Sequence, residues 1–137
     1  MVGYARPMKI LQPPSWAKPR GYSNGIAVKG GTAVYIAGQV GWKNGKWEAK
    51  DFAGQFRQAL ANILEVLAQA KGEPEHIVRL TWYVVDRNEY LASLEQVGEA
   101  YRELMGKHYP TMSVVQVSGL VESQARLEIE ATAVVPG

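Results

Sequence analysis

The sequence predicts an α+β domain with a single mixed sheet and two helices on one face, in the order β-β-β-α-β-α-β-β. Residues 51–71 and 88–106 carry apolar side chains at three- and four-residue steps, as amphipathic helices do. The other apolar stretches are short and alternate with a period of two, which indicates strands. Because each helix separates strands, we expect both helices to cover the same face of the sheet.

Residues 1–20 are predicted to form an extended arm, and residues 21–137 the globular domain. Four of the seven prolines fall in the arm. Proline fixes φ and biases the residue before it towards extended geometry, which argues against a helix. Trp16 is expected to pack onto the domain, since a large apolar ring is usually well buried.

Two short β-stretches follow, at 25–29 and 32–39, joined by a Gly-Gly pair. This pair predicts a tight hairpin, because primed turns need positive φ. The second stretch is apolar on both faces, which predicts a central strand covered on both sides. An Asn-Gly pair at 44–45 predicts a further small hairpin.

The two helices carry their own start and stop signals. Asp51 is placed to cap the first helix, and Gly72 to end it. The second helix is predicted to run unbroken to Gly106, with Asp86 or Asn88 as its cap.

Three further strands are predicted, at 77–85, 113–117 and 127–135. A polar connection with Gly119 joins the last two and is long enough for a loose hairpin. Glu128 lies within the last strand, although glutamate is a poor strand former. Its carboxylate either belongs to a solvated outer face or faces a cleft from a rigid sheet, where it would carry a proton.

A sheet with helices on one side leaves its other face bare. That face is expected to include Tyr35, Thr81, Tyr83, Glu128, Thr132 and Val134. A half-apolar open face of this kind predicts a homo-oligomer.

The composition and charge of the chain exclude several kinds of chemistry and binding. The chain has no cysteine, which excludes disulfides and thiolate chemistry. Its net charge of +2 is too small to indicate a surface that binds nucleic acid. No apolar run is long enough to span a membrane, and no signal peptide is expected, so a cytoplasmic location is predicted. His76 and His108 lack metal-ligand spacing, and no phosphate or dinucleotide loop is present, so no metal or cofactor is expected.

Several short motifs occur in a fixed order along the chain. They are GYSNG at 21–25, IAGQV at 36–40, QFRQAL at 55–60, the strand at 78–86, YPTMSVVQV at 109–117 and LEIEA at 127–131. Together they resemble the reactive-intermediate deaminase family, also called RidA, YjgF or L-PSP endoribonuclease-like. The resemblance covers about residues 20–135.

This resemblance implies a fold like that of the trimeric type of chorismate mutase, with ligand clefts between three subunits. It also implies hydrolysis of enamines or imines to ketoacids and ammonia, without a cofactor or metal. Carried onto this chain, it makes Glu128 the water-positioning carboxylate and Gly38 a backbone donor. Tyr22 would line the cleft, and Val114 would follow the family's arginine-serine pair.

Met112 departs from the family pattern. Family deaminases have a Pro-Ala-Arg-Ser segment whose arginine holds the substrate carboxylate, and residues 110–113 read Pro-Thr-Met-Ser instead. Methionine offers neither charge nor donors, so we expect an atypical, less charged substrate, unless Arg20 replaces the missing charge. The alternatives are a trimer that binds a small molecule without catalysis and, third, a ribonuclease or translation inhibitor.

Overall fold

A computed structural model of the chain describes residues 8–137. Its elements in chain order are β1 (Met8–Leu11), β2 (Gly25–Val28), β3 (Thr32–Gln39), α1 (Phe52–Ala68), a 3-10 turn (Pro74–His76), β4 (Ile77–Val84), α2 (Arg87–Ala92), α3 (Leu94–Met105), β5 (Thr111–Gln116) and β6 (Leu127–Val135). The first seven residues of the predicted arm lie outside the described residues.

The main sheet has four strands in the order β3-β6-β4-β5. β6 is antiparallel to both of its neighbours, whereas β5 is parallel to β4. A parallel neighbour requires a crossover connection, and α2 with α3 provides it. β1 and β2 form a separate antiparallel pair. The mixed α+β class is therefore confirmed.

Two predicted hairpins are wrong. β2 pairs with β1 rather than β3, although Gly30 and Gly31 have the positive φ (71° and 84°) that the turn signal predicted. β5 pairs with β4 rather than β6. β3 lies at an edge of the four-stranded sheet instead of its centre, and Tyr35 is 81% exposed. A period of two separates the two faces of a strand, but it does not identify the neighbouring strand.

The Asn-Gly turn is confirmed. Lys43 and Lys46 exchange two backbone hydrogen bonds of 3.0 Å. Asn44 and Gly45 between them have φ values of 51° and 78°, as a primed turn requires. Trp16, in contrast, is 60% exposed and does not pack onto the domain as expected.

α1 begins as predicted, because the Asp51 carboxylate accepts a hydrogen bond from Gly54 N (3.3 Å). Its end differs. Lys71 has the left-handed conformation (φ 59°) that was expected of Gly72. Gly72 is instead required for space, since a Cβ there would lie 2.7 Å from Cγ of Leu67.

The second predicted helix is divided at Ser93 into α2 and α3. The Ser93 hydroxyl donates to the Glu89 carbonyl oxygen (2.8 Å) at the break. Such a local bond competes with the regular helix. Asp86 caps α2 by accepting from the Asn88 and Glu89 amides, and Gly106 ends α3 with a φ of 64°.

The helices and the inward side chains of the sheet enclose one core. Its fully buried members include Phe56, Leu60, Ile63, Leu67, Ile77, Leu80, Leu127 and Ile129. β6 alternates between this core and the opposite face, where Glu128 pairs with Tyr83 of β4 and Thr132 with Tyr35 of β3. Within residues 8–137, no helix is long and apolar enough to cross a lipid bilayer.

Gln55 of α1 forms hydrogen bonds that hold the connection between β5 and β6 against the domain. Its side chain is buried, with Oε1 accepting from Arg126 N (2.7 Å) and Nε2 donating to Gln124 O (3.0 Å) and Ala49 O (3.3 Å). Arg126 directly precedes β6, so this network fixes where the strand that carries Glu128 begins.

Gln55→Leu is expected to lower the free energy of unfolding by about 1–3 kcal/mol, because leucine removes these hydrogen bonds and leaves the partly buried Arg126 amide without its partner. Urea denaturation followed by circular dichroism measures it. Gln96→Leu, at an exposed position of α3, is the matched control and should change stability little. Equal stability of the two variants would contradict the role assigned to Gln55.

Candidate functional site

Glu128 and Gly38 face each other on the neighbouring strands β6 and β3. A Cβ at residue 38 would lie 2.7 Å from Cδ of Glu128 and even closer to its Oε2, so the carboxylate lies directly over the Gly38 main chain. The register of β3 shifts between Ile36 and Gln39, which takes one residue out of the ladder at this point. Such bulges are over-represented beside active sites, and here the bulge lies under the carboxylate.

Glu128 lies on the open face of the sheet and is partly buried. Tyr83 stands opposite it on β4 and donates a hydrogen bond to Glu130 Oε1 (2.6 Å). This bond to a carboxylate raises the pKa of the Tyr83 phenol, and desolvation and the two negative charges add to the effect. The ion pairs among residues 8–137 use other carboxylates, so Glu128 is not neutralised within the described chain.

Met112 and Val114 lie on the opposite face of the sheet from Glu128. Val114 pairs with Trp82 of β4, whereas Glu128 pairs with the next residue, Tyr83. Because side chains alternate along a strand, these two sets point in opposite directions. Met112, two residues before Val114, packs with it against the core. One chain therefore brings Gly38 to Glu128 but keeps Met112 and Val114 away from both.

Met112 borders a cavity of about 380 Å³ between β5, α3 and the segment before β2. Four aromatic side chains and two arginines contribute to its wall: Trp82, Tyr90, Tyr101, Tyr109, Arg20 and Arg102. Arg20, the residue that the sequence suggested as an alternative source of positive charge, thus lies at the same cavity as Met112. Trp82, Tyr90 and Arg102 were not predicted. Trp82 and Tyr90 belong to the apolar patterns of their elements, which is the only sequence signal for them, and Arg102 has no such signal.

The aromatic wall is tightly packed. The Trp82 indole stacks on Phe56 (centroids 4.8 Å apart) and meets the edge of Tyr90 (6.0 Å). Tyr101 stacks on Tyr109 at 5.3 Å and donates its hydroxyl to the His108 carbonyl oxygen. Burial raises the pKa of the phenols of Tyr90 and Tyr101, so both remain neutral donors at physiological pH.

Tyr22 is 41% exposed and borders a neighbouring cavity of about 320 Å³ that also contacts Tyr109. The residue after it explains how two of the family motifs meet. Ser23 donates its hydroxyl to Tyr109 O (2.5 Å) and its amide to Pro110 O (3.1 Å). These bonds hold the GYSNG motif against the YPTMS motif, so Tyr22 lies beside the Met112 side of the sheet.

Neither histidine adopts a catalytic arrangement. His108 Nε2 lies 2.6 Å from the Ile77 carbonyl oxygen, to which it donates. His76 forms, with Glu73 and Glu75, a group whose ligand atoms lie within 4.8 Å of one another, a spacing not anticipated from the sequence. The Glu73 amide donates to His76 Nδ1 (2.9 Å), so the capping of the 3-10 turn accounts for this grouping.

Comparison with protein families gives a match over most of the chain. The model of the endoribonuclease L-PSP family matches residues 15–135. A RutC family protein of Pyrococcus horikoshii is 34% identical over 78% of this chain and 82% of its own length. Human 2-iminobutanoate/2-iminopropanoate deaminase is 30% identical over 82% of this chain and 79% of its own.

Solved structures of proteins from the same family are also similar to this chain. A Rid family protein of unknown function, YyfB from Yersinia pestis, superposes with a TM-score of 0.82 at 31% identity and covers 94% of this chain and 99% of that one. A member of the YjgF/YER057c/UK114 family from Mycobacterium tuberculosis has a TM-score of 0.63 at 34% identity, covering 84% of this chain and 87% of that one.

Proposed function

Since this chain belongs to the endoribonuclease L-PSP family, also called RidA or YjgF, we propose that it is a homotrimeric hydrolase that deaminates an enamine or imine in clefts between subunits. The observation that carries the proposal is the carboxylate of Glu128, held over Gly38 at a bulge on an open sheet face. Relatives named 2-iminobutanoate/2-iminopropanoate deaminase, at about 30% identity, support the reaction class.

In the proposed reaction, Glu128 accepts a proton from a water molecule and directs its oxygen to the imine carbon. The C–O bond forms as the C=N bond becomes a single bond, and the nitrogen takes up a proton from Glu128. The C–N bond then breaks as the new hydroxyl group gives its proton to the departing nitrogen and becomes C=O, and ammonia leaves. The product is the corresponding carbonyl compound. A general base of this kind contributes about 10²–10⁴-fold. Main-chain groups at Gly38 and Val114 would hold a carbonyl or carboxyl oxygen of the ligand.

The positions of the residues support a cleft between subunits, as the proposed trimer requires. Glu128 lies on the open face, and the cavity beside Met112 lies on the helix face of the same sheet. A cleft that uses both must take them from two subunits. The open face itself is partly apolar and includes Tyr35, 81% exposed, which a neighbouring subunit would cover.

A ligand-binding trimer without catalysis is the second candidate, and Met112 favours it. The residue offers no charge-assisted contact to a substrate carboxylate. A ligand that raises the melting temperature but is never hydrolysed, in a panel of imines and their ketoacid products, would favour this role. Turnover of any bound imine would favour the hydrolase.

Met112→Arg is expected to raise kcat/KM for 2-iminobutanoate by roughly a hundredfold. A bidentate arginine–carboxylate contact adds charge-assisted hydrogen bonds of about 1.5–3 kcal/mol each. Ammonia release from the imine, generated in situ by an amino-acid oxidase, measures the rate, and sedimentation of each variant tests for the trimer. Met112→Leu is the control without charge.

The hydrolase proposal fails if neither the natural chain nor Met112→Arg releases ammonia faster than the uncatalysed reaction from any imine tested. Sedimentation as a monomer would remove the intersubunit cleft.

A further inference from the structure

We propose that the cavity beside Met112 binds an aromatic 2-imino or 2-keto acid, whose carboxylate is held by Arg20 and Arg102 instead of an arginine at position 112. The reaction at the bound imine rests on the proposed function, whereas the binding of the aromatic acid does not.

The charge of the cavity supports an anionic ligand. Arg20 and Arg102 both border it, and no aspartate or glutamate does. The ion pairs among residues 8–137 are formed by Lys43, Arg57 and Arg126, not by either cavity arginine. Residues 1–7 contain no acidic side chain. Two guanidinium groups without an ion-pair partner among the described residues match a carboxylate, which arginine binds in bidentate geometry.

Gly98 directs one of these arginines to the cavity. It lies one turn before Arg102 on α3, and a Cβ at Gly98 would approach Arg102 Nη1 to 3.1 Å. The guanidinium therefore folds back over the glycine, which itself borders the cavity. A glycine inside a helix is destabilising relative to alanine. The space it leaves for Arg102 gives a reason for its presence.

The wall of the cavity supports an aromatic ligand. Trp82 is 4% exposed, and its indole N–H has no hydrogen-bond partner among the described residues. Buried donors are normally paired, so an acceptor on a ligand would complete this group. Tyr90 and Tyr101 add neutral aromatic surface. A volume of about 380 Å³ exceeds the needs of an unbranched three- or four-carbon acid and suits one that carries a ring.

Phenylpyruvate, pyruvate and 4-phenylbutan-2-one separate the two recognition elements. All three carry a ketone, but pyruvate has the carboxylate without the ring, and 4-phenylbutan-2-one has the ring without the carboxylate. Isothermal titration of the full chain is expected to give tighter binding of phenylpyruvate than of either other probe. Arg20→Gln and Arg102→Gln should each weaken phenylpyruvate about tenfold or more, since each removes hydrogen bonds to a charged group. Their affinity for 4-phenylbutan-2-one should stay unchanged.

Arg87→Gln, at an exposed arginine of α2 away from the cavity, is the matched control and should leave every affinity unchanged. Arg102→Lys keeps the charge but not the bidentate geometry, and should recover part of the lost affinity. Phenylpyruvate binding no tighter than pyruvate would overturn the aromatic assignment. An equal loss for the neutral ketone, or no loss in either arginine variant, would overturn the carboxylate assignment.

Two outcomes distinguish the binding of an aromatic acid from the proposed hydrolysis of imines. Arginine-dependent phenylpyruvate binding, with no ammonia released from the matching imine, would support the ligand class and contradict the hydrolase. Ammonia release from small imino acids at the same rate in Arg20→Gln and Arg102→Gln, without phenylpyruvate binding, would support the hydrolase and contradict the ligand class.

Discussion

Glu128→Gln is expected to lower the rate of imine hydrolysis by about 10²–10⁴-fold while the protein stays folded. Glutamine has nearly the same shape and still forms hydrogen bonds, but it cannot accept a proton from water. The side chain is only partly buried and forms no ion pair within the described chain. Its replacement should therefore affect the chemical step much more than stability.

Glu130→Gln is the matched control for this experiment. Glu130 is two residues along β6 on the same open face, but it is exposed and its carboxylate accepts from Tyr83. We expect its rate to stay near that of the natural chain. Ammonia release gives the rates, and circular dichroism checks the fold. If Glu128→Gln hydrolyses every active substrate at the natural rate, the carboxylate has no part in the proton transfer.

The parts of the fold that the sequence predicts well are those fixed by local spacing. α1 and its Asp51 cap, and the alternation of β6 from Leu127 to Val135, each depend on one continuous stretch of chain. The break at Ser93 was missed, because the apolar stripe continues through it and the hydroxyl–carbonyl bond found there leaves no mark in the apolar pattern.

Strand pairing was predicted poorly for a physical reason. Pairing depends on contacts between distant segments, and the apolar pattern of a strand is the same whichever neighbour it has. The glycine pair at 30–31 does turn the chain, but into a strand that pairs with β6 rather than back along β2. β6 lies between β3 and β4 in the sheet, whereas the predicted hairpin would have paired it with β5.

The residues of the candidate site also fall into two groups: those predicted from one stretch of chain, and those that only folding brings together. Glu128 was singled out from one strand and from the family resemblance, and the structure adds that Gly38 lies beneath its carboxylate. The aromatic cavity could not be predicted, because Arg20, Trp82 and Arg102 come from three separate segments that only the folded chain brings together. In the proposed cleft, the groups that meet Glu128 would come from a second subunit, and no pattern in one sequence encodes that geometry directly.

Gly38→Ala is expected to fold normally and yet lose about a hundredfold in rate. The added methyl group would lie 2.7 Å from Cδ of Glu128, closer than carbon atoms approach, so one of the two must move. The carboxylate is the end of a flexible side chain, whereas the added methyl group would be attached directly to the β3 main chain. We therefore expect Glu128 to be displaced by about 1 Å, and a misplacement of that size costs about 10²-fold in an oriented reaction.

The matched control is Gly119→Ala, because a Cβ at Gly119 meets nothing within 4 Å. Its rate and melting temperature should both equal those of the natural chain. The double variant Gly38→Ala, Glu128→Gln decides whether the glycine acts through the carboxylate. If it does, the double variant should be no slower than Glu128→Gln alone, since the displaced group no longer takes part. Independent, multiplying losses would show instead that Gly38 contributes by its own main-chain contact with the ligand.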